Sequence, residues 1–194
     1  MANQPLNTEL LDRAIIFAVK AHAGTERRGK GFPYIVHPME AMAIVATMTS
    51  DPELLAAAAL HDTIEDTPVT EEDLRAAFGS RIASLVALES DHLPAGISEE
   101  ESWHRRKQAA MERLSRAPCD VKIVALGDKL SNMRAIARDY AEKGDALWDL
   151  FHAKRPADHE WHYRGLADAL RELQDTAAFQ EFESLINQVF QPAL

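Results

Sequence analysis

The chain has 194 residues, and its 31 acidic and 21 basic side chains leave a formal net charge of −10. Hydrophobic residues make up 46%, enough for a buried core, and 27% charged residues is typical of folded domains rather than disordered chains. Such an acidic balance excludes nonspecific binding to nucleic acid, because neutralising phosphates requires clustered Lys and Arg. The length predicts a single domain spanning residues 1–194.

The cysteine content and the N-terminus both bear on location. Cys119 is the single cysteine, so it cannot close an intramolecular disulfide, and it suits a reducing compartment. Residues 1–10 lack the basic patch and apolar stretch of a secretory signal, and no segment approaches about 18 consecutive apolar residues. We therefore expect a cytoplasmic protein that does not use a membrane as partner.

Apolar residues recur at three- and four-residue spacing almost throughout, which predicts an all-α bundle of roughly eight to ten helices. The first helix carries Leu11, Ala14, Ile15, Ala18 and His22 on one face. Gly24 is placed to end that helix. The second helix is predicted to start at Pro38, because proline is favoured in the first turn.

Further helix boundaries follow from capping residues. A helix is predicted over 52–66, with Asp51 as its N-cap. Capping boxes are predicted to begin at Thr70 and Ser98, and Gly79 is placed to close the short helix between them.

The second half of the chain is also predicted to be helical. A long helix is expected over 120–139, and further helices over 145–190. Short loops are predicted near 24–36, 92–97 and 154–156. No segment has the alternating pattern of a strand.

Residues 51–73 concentrate the acidic charge, with eight carboxylates and no Lys or Arg. On a continuous helix His61 and Glu65 are four apart, as are Asp62 and Asp66, so all four side chains can face one cavity. Carboxylates near a helix C-terminus interact unfavourably with the helix dipole, which destabilises the helix by roughly 0.3–1 kcal/mol for each carboxylate. A bound cation would relieve this repulsion, and a solvated acidic helix end is the alternative.

Asp128 lies on an otherwise apolar helix face, where an unpaired carboxylate would be costly. An ordinary salt bridge is the alternative to a metal-binding role. Asn132, one turn later, faces the same way, and His37 immediately precedes Pro38. Two imidazoles and two carboxylates form a set suited to Mn²⁺, Fe²⁺ or Zn²⁺. The candidate metal ligands are His37, His61, Asp62 and Asp128.

Three motifs in order carry a resemblance to a known family. They are RRGKGFPYIVHP (27–38), LHDTIEDT (60–67) and LGDKLSNMR (126–134). Together they resemble the HD metal-dependent phosphohydrolase superfamily, and within it the alarmone hydrolase domain of RelA/SpoT homologues. The resemblance extends from about 22 to 138, and WHYRGLADAL (161–170) is similar to the C-terminal helix of small stand-alone alarmone hydrolases.

The resemblance implies hydrolysis of the 3′-pyrophosphate of guanosine tetra- or pentaphosphate, releasing pyrophosphate and GDP or GTP. It implies that Glu65 and Asp66 handle the attacking water and that Arg28 and Asn132 contact the nucleotide, the small-molecule partner. It also implies that the four candidate ligands hold one Mn²⁺, with other transition metals possible.

Some positions depart from the family pattern. Gly29 stands where many relatives carry a second basic residue, and Ser131 and Ala135 stand where larger domains commonly show His and Thr. These differences leave the nucleobase preference open. The basic stretch 104–107 is interpreted as a solvated helix face, outside the candidate site.

Two alternatives stay open at the level of the sequence. The first is another HD phosphohydrolase, acting on an adenosine alarmone, the phosphate of NADPH or a different nucleotide. The second is a noncatalytic HD module that senses a nucleotide.

Overall fold

Helices follow one another along the chain in the computed structural model, which describes residues 7–89 and 99–190. Within these ranges a single bridge between Glu26 and Pro33 is the one strand-like pairing, so the all-α prediction is confirmed. None of the described helices combines the length and apolarity needed to span a membrane. The α-helices are α1 (Glu9–Ala21), α2 (Val36–Val45), α3 (Pro52–Leu60), α4 (Thr63–Asp66), α5 (Glu71–Phe78), α6 (Ser80–Glu89), α7 (Glu99–Ser115), α8 (Cys119–Lys143), α9 (Pro156–Ala169) and α10 (Ala177–Phe190), with 3₁₀ turns at Gly144–Leu150 and Arg171–Leu173.

Local capping signals explain several helix ends. The Asp51 carboxylate accepts the backbone N–H of Glu53 at 2.9 Å, as expected of an N-cap. Thr70 and Asp73 form the predicted capping box, with reciprocal bonds of 3.2 and 2.9 Å. Gly79, at φ +88°, ends α5 as predicted. The predicted loop at 92–97 and the capping box beginning at Ser98 lie outside the described residues.

The helix predicted over 52–66 is wrong as a single element. It stops at Leu60, and a separate turn follows at Thr63–Asp66. The Thr63 hydroxyl donates to the Leu60 carbonyl at 2.7 Å, satisfying that carbonyl at the end of α3. The break leaves His61 and Asp62 between two helices, so His61 and Glu65 do not belong to one helix. The backbone N–H of Asp66 donates to the Asp62 carbonyl at 2.9 Å, so that pair keeps helical spacing.

Two other boundaries differ by a few residues. The second helix begins at Val36 rather than Pro38. N–H groups in the first turn have no partner within the helix, so proline is tolerated at any position there and does not fix the first residue. The long helix covers Cys119–Lys143 rather than 120–139, and Gly144, at φ +56°, ends it.

The apolar faces of the helices meet in one buried cluster that draws on residues from α1 to α10. Ala56–Ala59 are all fully buried, and these small side chains let α3 pack closely against α1 and α2. Helix α8 packs against α2 and α10. The Phe179 and Phe182 side chains of α10 are among the largest that are fully buried.

Gly127 determines how closely α2 and α8 approach each other. A Cβ atom at this position would lie 2.6 Å from Cγ2 of Val45 and 2.7 Å from the Ala41 carbonyl oxygen. Only glycine permits this contact without a shift of one helix. Because His37 lies on α2 and Asp128 follows Gly127 on α8, the contact brings these two side chains together.

Candidate metal centre and active site

Four side chains meet where α2, α8 and the residues that follow α3 come together. Nε2 of His37 and Nε2 of His61 are 3.3 Å apart. Oδ1 of Asp128 lies 3.1 and 3.5 Å from these two nitrogens. Oδ2 of Asp62 lies 3.4 and 2.9 Å from them. All four ligands predicted from the sequence therefore present a donor atom to one small volume.

The partners of both imidazoles fix which nitrogen faces the cluster. Nδ1 of His61 lies 2.8 Å from the Ala58 carbonyl oxygen, which only accepts, so Nδ1 carries the proton. Nδ1 of His37 lies 2.8 Å from Oγ of Ser131, whose hydroxyl donates to Glu40 at 2.7 Å. The hydrogen-bond pattern therefore leaves both Nε2 atoms facing the cluster, where each can offer a lone pair to a cation once it carries no proton.

The electrostatics of the cluster suit a divalent cation. Burial alone would raise the pKa of Asp62 and the pKa of Asp128, yet both pKa values lie well below the usual range. The charge of His61 lowers the pKa of Asp62, and the charge of Lys129 lowers the pKa of Asp128. Burial would lower the pKa of His61, but the two carboxylates hold it well above its ordinary value. His37, His61 and Asp128 form a buried donor set that could hold a metal ion, and Asp62 adds a second ionised carboxylate within 3.4 Å of both imidazole nitrogens. Such a set fits a transition metal.

Both carboxylates are held by further residues. The Tyr34 hydroxyl donates to Oδ2 of Asp62 at 2.7 Å, and burial and the Asp62 charge raise the pKa of Tyr34. The Asn132 side-chain amide donates to Oδ1 of Asp128 at 2.5 Å, and Lys129 pairs with the other oxygen. The ordinary salt bridge considered for Asp128 therefore exists alongside its position in the cluster.

A cavity of about 360 Å³ lies against the cluster. Glu65 and Asp66, on the turn α4, are exposed and line the cavity beside Asp62. Carboxylates that line a cavity and remain open to solvent can accept a proton from a water molecule there. The structure therefore places the two predicted catalytic carboxylates next to the candidate metal ligands.

The rest of the cavity is lined by aliphatic side chains together with basic and aromatic ones. Aromatic side chains come from α7, from α9 and from the segment between α8 and α9. Four basic residues also line the cavity. The aromatic and histidine residues are Trp103, Phe151, His159, His162 and Tyr163, and the basic residues are Arg27, Lys107, Arg113 and Lys129.

The glycine-rich loop at 24–36 presents Arg27 to the cavity rather than Arg28. The Arg27 guanidinium lies 5.2 Å from the centre of the Tyr34 ring and donates to the side-chain carbonyl of Asn132. Nη1 of Arg28 lies 3.4 Å from Nε2 of His152, and Arg28 does not line the cavity. Asn132 lines the cavity, where the predicted contact with a nucleotide could form. Arg28 does not line it, so its predicted contact stays a prediction.

Lys107 was missed by the sequence reasoning, which assigned the whole stretch 104–107 to a solvated face. His104 and Arg105 are exposed as expected, but Lys107 lines the cavity. Trp103, only 9% exposed, lies one turn before Lys107 on the same face of α7. The spacing of Trp103 and Lys107 is the sequence signal that marks the inner face of this helix.

The chain belongs to the HD domain family, which it matches over residues 14–156. It is 38% identical over 136 residues to the guanosine-3′,5′-bis(diphosphate) 3′-pyrophosphohydrolase of Vibrio cholerae, covering 66% of this chain and 18% of that protein. It is 35% identical over 142 residues to a GTP pyrophosphokinase of Myxococcus xanthus, covering 70% of this chain and 18% of that protein. The chain thus spans less than a fifth of these curated relatives.

Two solved structures share the fold. A metazoan SpoT ortholog that hydrolyses ppGpp superposes with a TM-score of 0.74 at 22% identity, covering 96% of this chain and 98% of that chain. A Listeria monocytogenes protein superposes with a TM-score of 0.69 at 27% identity, covering 83% and 98%. Both structures therefore share the overall helical fold of this chain.

Proposed function

We propose that the protein is a metal-dependent phosphohydrolase that acts on guanosine tetra- or pentaphosphate and releases pyrophosphate with GDP or GTP. The observation that carries the proposal is a cluster of two imidazole nitrogens and two carboxylates beside a cavity lined by Glu65 and Asp66. Family membership supports the chemistry, and the name of the Vibrio cholerae relative supports the substrate class. A nucleotide free in the cytoplasm is the expected partner.

Four residues of this chain would hold the cation, a donor set suited to Mn²⁺, Fe²⁺ or Zn²⁺, and Mn²⁺ is the proposed metal because the motif resemblance implies it. When bound, the cation supplies positive charge that polarises a phosphoryl oxygen and lowers the pKa of a water molecule. Ala58 and Ser131 keep the two imidazoles in the tautomer that such a cation requires. Tyr34 and Asn132 orient the carboxylates.

Glu65 and Asp66 act on the attacking water. They orient it and accept one of its protons as its oxygen bonds to the phosphorus attached at the 3′ oxygen. The bond between that phosphorus and the 3′ oxygen breaks, pyrophosphate leaves, and the 3′ oxygen takes up a proton to become a hydroxyl. Positioned base catalysis of this kind contributes about 10²- to 10⁴-fold in rate.

The basic residues of the cavity resolve the apparent mismatch between an acidic chain and a polyanionic substrate. Arg27, Lys107, Arg113 and Lys129 all line the cavity, although the formal net charge of the chain is −10. Cations inside a partly enclosed cavity act at short range and are screened less than surface charges. They are proposed to balance the substrate phosphates.

A substrate panel tests the proposal. Purified protein is incubated with guanosine tetraphosphate, the matching adenosine alarmone or NADPH, each with Mn²⁺ or with a chelator, and the release of pyrophosphate or phosphate is followed. We expect pyrophosphate from the guanosine alarmone at the highest kcat/KM, and none with the chelator. A higher kcat/KM for either other substrate would contradict the substrate assignment.

The same panel separates an enzyme from a sensing module. Tight binding of guanosine tetraphosphate in the presence of Mn²⁺, with no pyrophosphate released, would overturn the catalytic assignment and support the sensing module. His61→Ala, prepared in parallel, shows whether any activity in the preparation comes from this centre.

A further inference from the structure

A continuous hydrogen-bond chain runs from the candidate metal centre to the last described helix. Nδ1 of His37 lies 2.8 Å from Oγ of Ser131, and Oγ of Ser131 lies 2.7 Å from Oε2 of Glu40. Nη1 of Arg134 lies 3.3 Å from the other oxygen of Glu40. Nε and Nη2 of Arg134 lie 2.6 and 2.7 Å from the two carboxylate oxygens of Glu181 on α10.

The direction of every bond in this chain follows from the residue types. A Glu40 carboxylate only accepts, so the single hydroxyl proton of Ser131 is donated to it. Oγ of Ser131 then has only lone pairs to offer to His37, so Nδ1 of His37 must carry the proton. Ser131 is 2% exposed and His37 is 4% exposed, so water does not readily replace either partner.

The far end of the chain is anchored by a paired contact. Two nitrogens of Arg134 donate to the two carboxylate oxygens of Glu181, a bidentate geometry that gives strong arginine–carboxylate pairs. Its third contact holds Glu40 in place beside Ser131. Glu181 lies beyond residues 14–156, the part of the chain that matches the HD domain family.

We infer that Ser131 and Glu40 are positioning residues that hold Nε2 of His37 toward the cation, and that α10 supports them through Arg134 and Glu181. The inference rests on the proposed metal centre but not on the identity of the substrate. A metal-bound imidazole needs its other nitrogen to donate to an acceptor, and loss of such a partner typically weakens metal binding about 10- to 100-fold.

Removing the Ser131 hydroxyl is the most direct test. In Ser131→Ala the buried Nδ1–H of His37 loses its acceptor. We expect the Kd for Mn²⁺, measured by titration calorimetry of the full chain, to rise about 10- to 100-fold. Ser115→Ala is the matched control, because the Ser115 hydroxyl donates to the Glu112 carbonyl at the exposed end of α7, and the Kd of this variant should stay at the wild-type value.

Ser131→Thr separates loss of the hydroxyl from disturbance of the packing. Threonine adds a methyl group at a buried position but keeps a hydroxyl that can bridge His37 and Glu40. If the hydroxyl is what matters, Ser131→Thr binds Mn²⁺ more tightly than Ser131→Ala, even though it disturbs the core more. The reverse order would overturn the inference.

A spectroscopic signal reports on the His37 tautomer directly. With diamagnetic Zn²⁺ in place of Mn²⁺, we expect the wild-type protein to show a slowly exchanging Nδ1 proton for His37, which Ser131→Ala lacks. A signal that persists unchanged in Ser131→Ala would show that Ser131 is not the acceptor.

Glu181→Gln tests the outer end of the chain with little risk to the fold, since this side chain is partly exposed. An amide keeps only one of the two acceptor oxygens that Arg134 uses, so we expect a smaller effect, a rise in the Kd for Mn²⁺ of about threefold. Glu183→Gln, at an exposed position of the same helix, is the control. Equal Kd values for Mn²⁺ in Glu181→Gln and Glu183→Gln would show that α10 does not support the metal centre.

The two proposals fail in different ways. Absence of Mn²⁺ binding by the wild-type protein would overturn the proposed metal centre itself. Normal wild-type binding with an unchanged Kd in Ser131→Ala would overturn the positioning role and leave the metal centre standing.

Discussion

The two walls of the cavity are built on different principles. On the wall formed by α2, α8 and the residues after α3, His37 and His61 are almost fully buried, and each has a fixed partner behind it. On the wall formed by α7 and α9, the basic side chains are long, and Lys107 and Arg113 are not buried. The first wall is preorganised for chemistry, whereas the second can adjust to a substrate.

The largest expected effect is on the first wall. His61→Ala removes one nitrogen donor and leaves Asp62 and Asp128 without their central partner, so we expect loss of stoichiometric Mn²⁺ and of all detectable turnover. Metal analysis of the purified variant checks this. His104→Ala, on the exposed face of α7, should keep both properties. Full Mn²⁺ occupancy in His61→Ala would disprove the ligand assignment.

Glu65→Gln should separate catalysis from metal binding on the same wall. Glu65 lines the cavity but lies outside the cluster of donor atoms, so the variant should keep its Mn²⁺ while kcat falls about 10²- to 10⁴-fold. Steady-state kinetics with metal analysis on the same sample measures both. Glu72→Gln, highly exposed on α5, is the control, and a wild-type kcat in Glu65→Gln would contradict the catalytic role.

The second wall should respond in KM rather than kcat. Lys107→Ala removes one positive charge from the cavity, and we expect KM for guanosine tetraphosphate to rise about tenfold, equivalent to about 1.4 kcal/mol, with kcat nearly unchanged. Arg105→Ala removes the same charge from the exposed face of α7 and should leave KM unaltered. Equal kinetics in the two variants would show that Lys107 does not contact the substrate.

The first wall should also make metal binding depend on pH. Asp62 and Asp128 raise the pKa of His61 well above its ordinary value. The His61 ring of the metal-free protein therefore carries a second proton, and a positive charge, at neutral pH. Binding must release that proton, so affinity should rise with pH, by up to tenfold per pH unit, until the raised pKa is passed. Calorimetry in two buffers of different ionisation enthalpy measures the released proton, and identical enthalpies would refute this.

The smallest expected effect concerns the packing beneath the first wall. Gly127→Ala gains about 1 kcal/mol of helix propensity but forces a Cβ against Val45 and Ala41, which costs about 1–3 kcal/mol. We expect a net loss of about 1 kcal/mol in the free energy of unfolding, measured by urea denaturation. Gly165→Ala, whose nearest neighbours are atoms of the flexible Met111 side chain rather than backbone, is a milder comparison. A stabilised Gly127→Ala would show that α2 and α8 can move apart.

The features predicted from the sequence are those encoded locally. Asp51, the capping box at Thr70 and Gly79 act within a few residues, so the start of α3 and both ends of α5 followed from their neighbours alone. The break after Leu60 did not, because the run of alanines favours a continuous helix and the competing bond comes from a single hydroxyl of Thr63.

The parts of the site that escaped prediction depend on distant contacts. Ser131 and Glu40 are 91 positions apart, and only the approach of α2 to α8 joins them. Arg27 and Arg28 are neighbours in a loop whose turn includes Gly29 at φ +68°, so the direction of each side chain depends on that turn. The motifs indicated the four candidate metal ligands, but not Ser131 and Glu40, which lie behind His37.

The central claim is that the metal cluster and Glu65 together release pyrophosphate from a guanosine alarmone. The most direct measurement is the rate of pyrophosphate release from guanosine tetraphosphate by wild-type protein and by Glu65→Gln, at saturating Mn²⁺ and equal metal occupancy. The account predicts rapid release by the wild type and a rate at least about 100-fold lower for the variant. Equal rates, or no release by fully metallated wild-type protein, would contradict it.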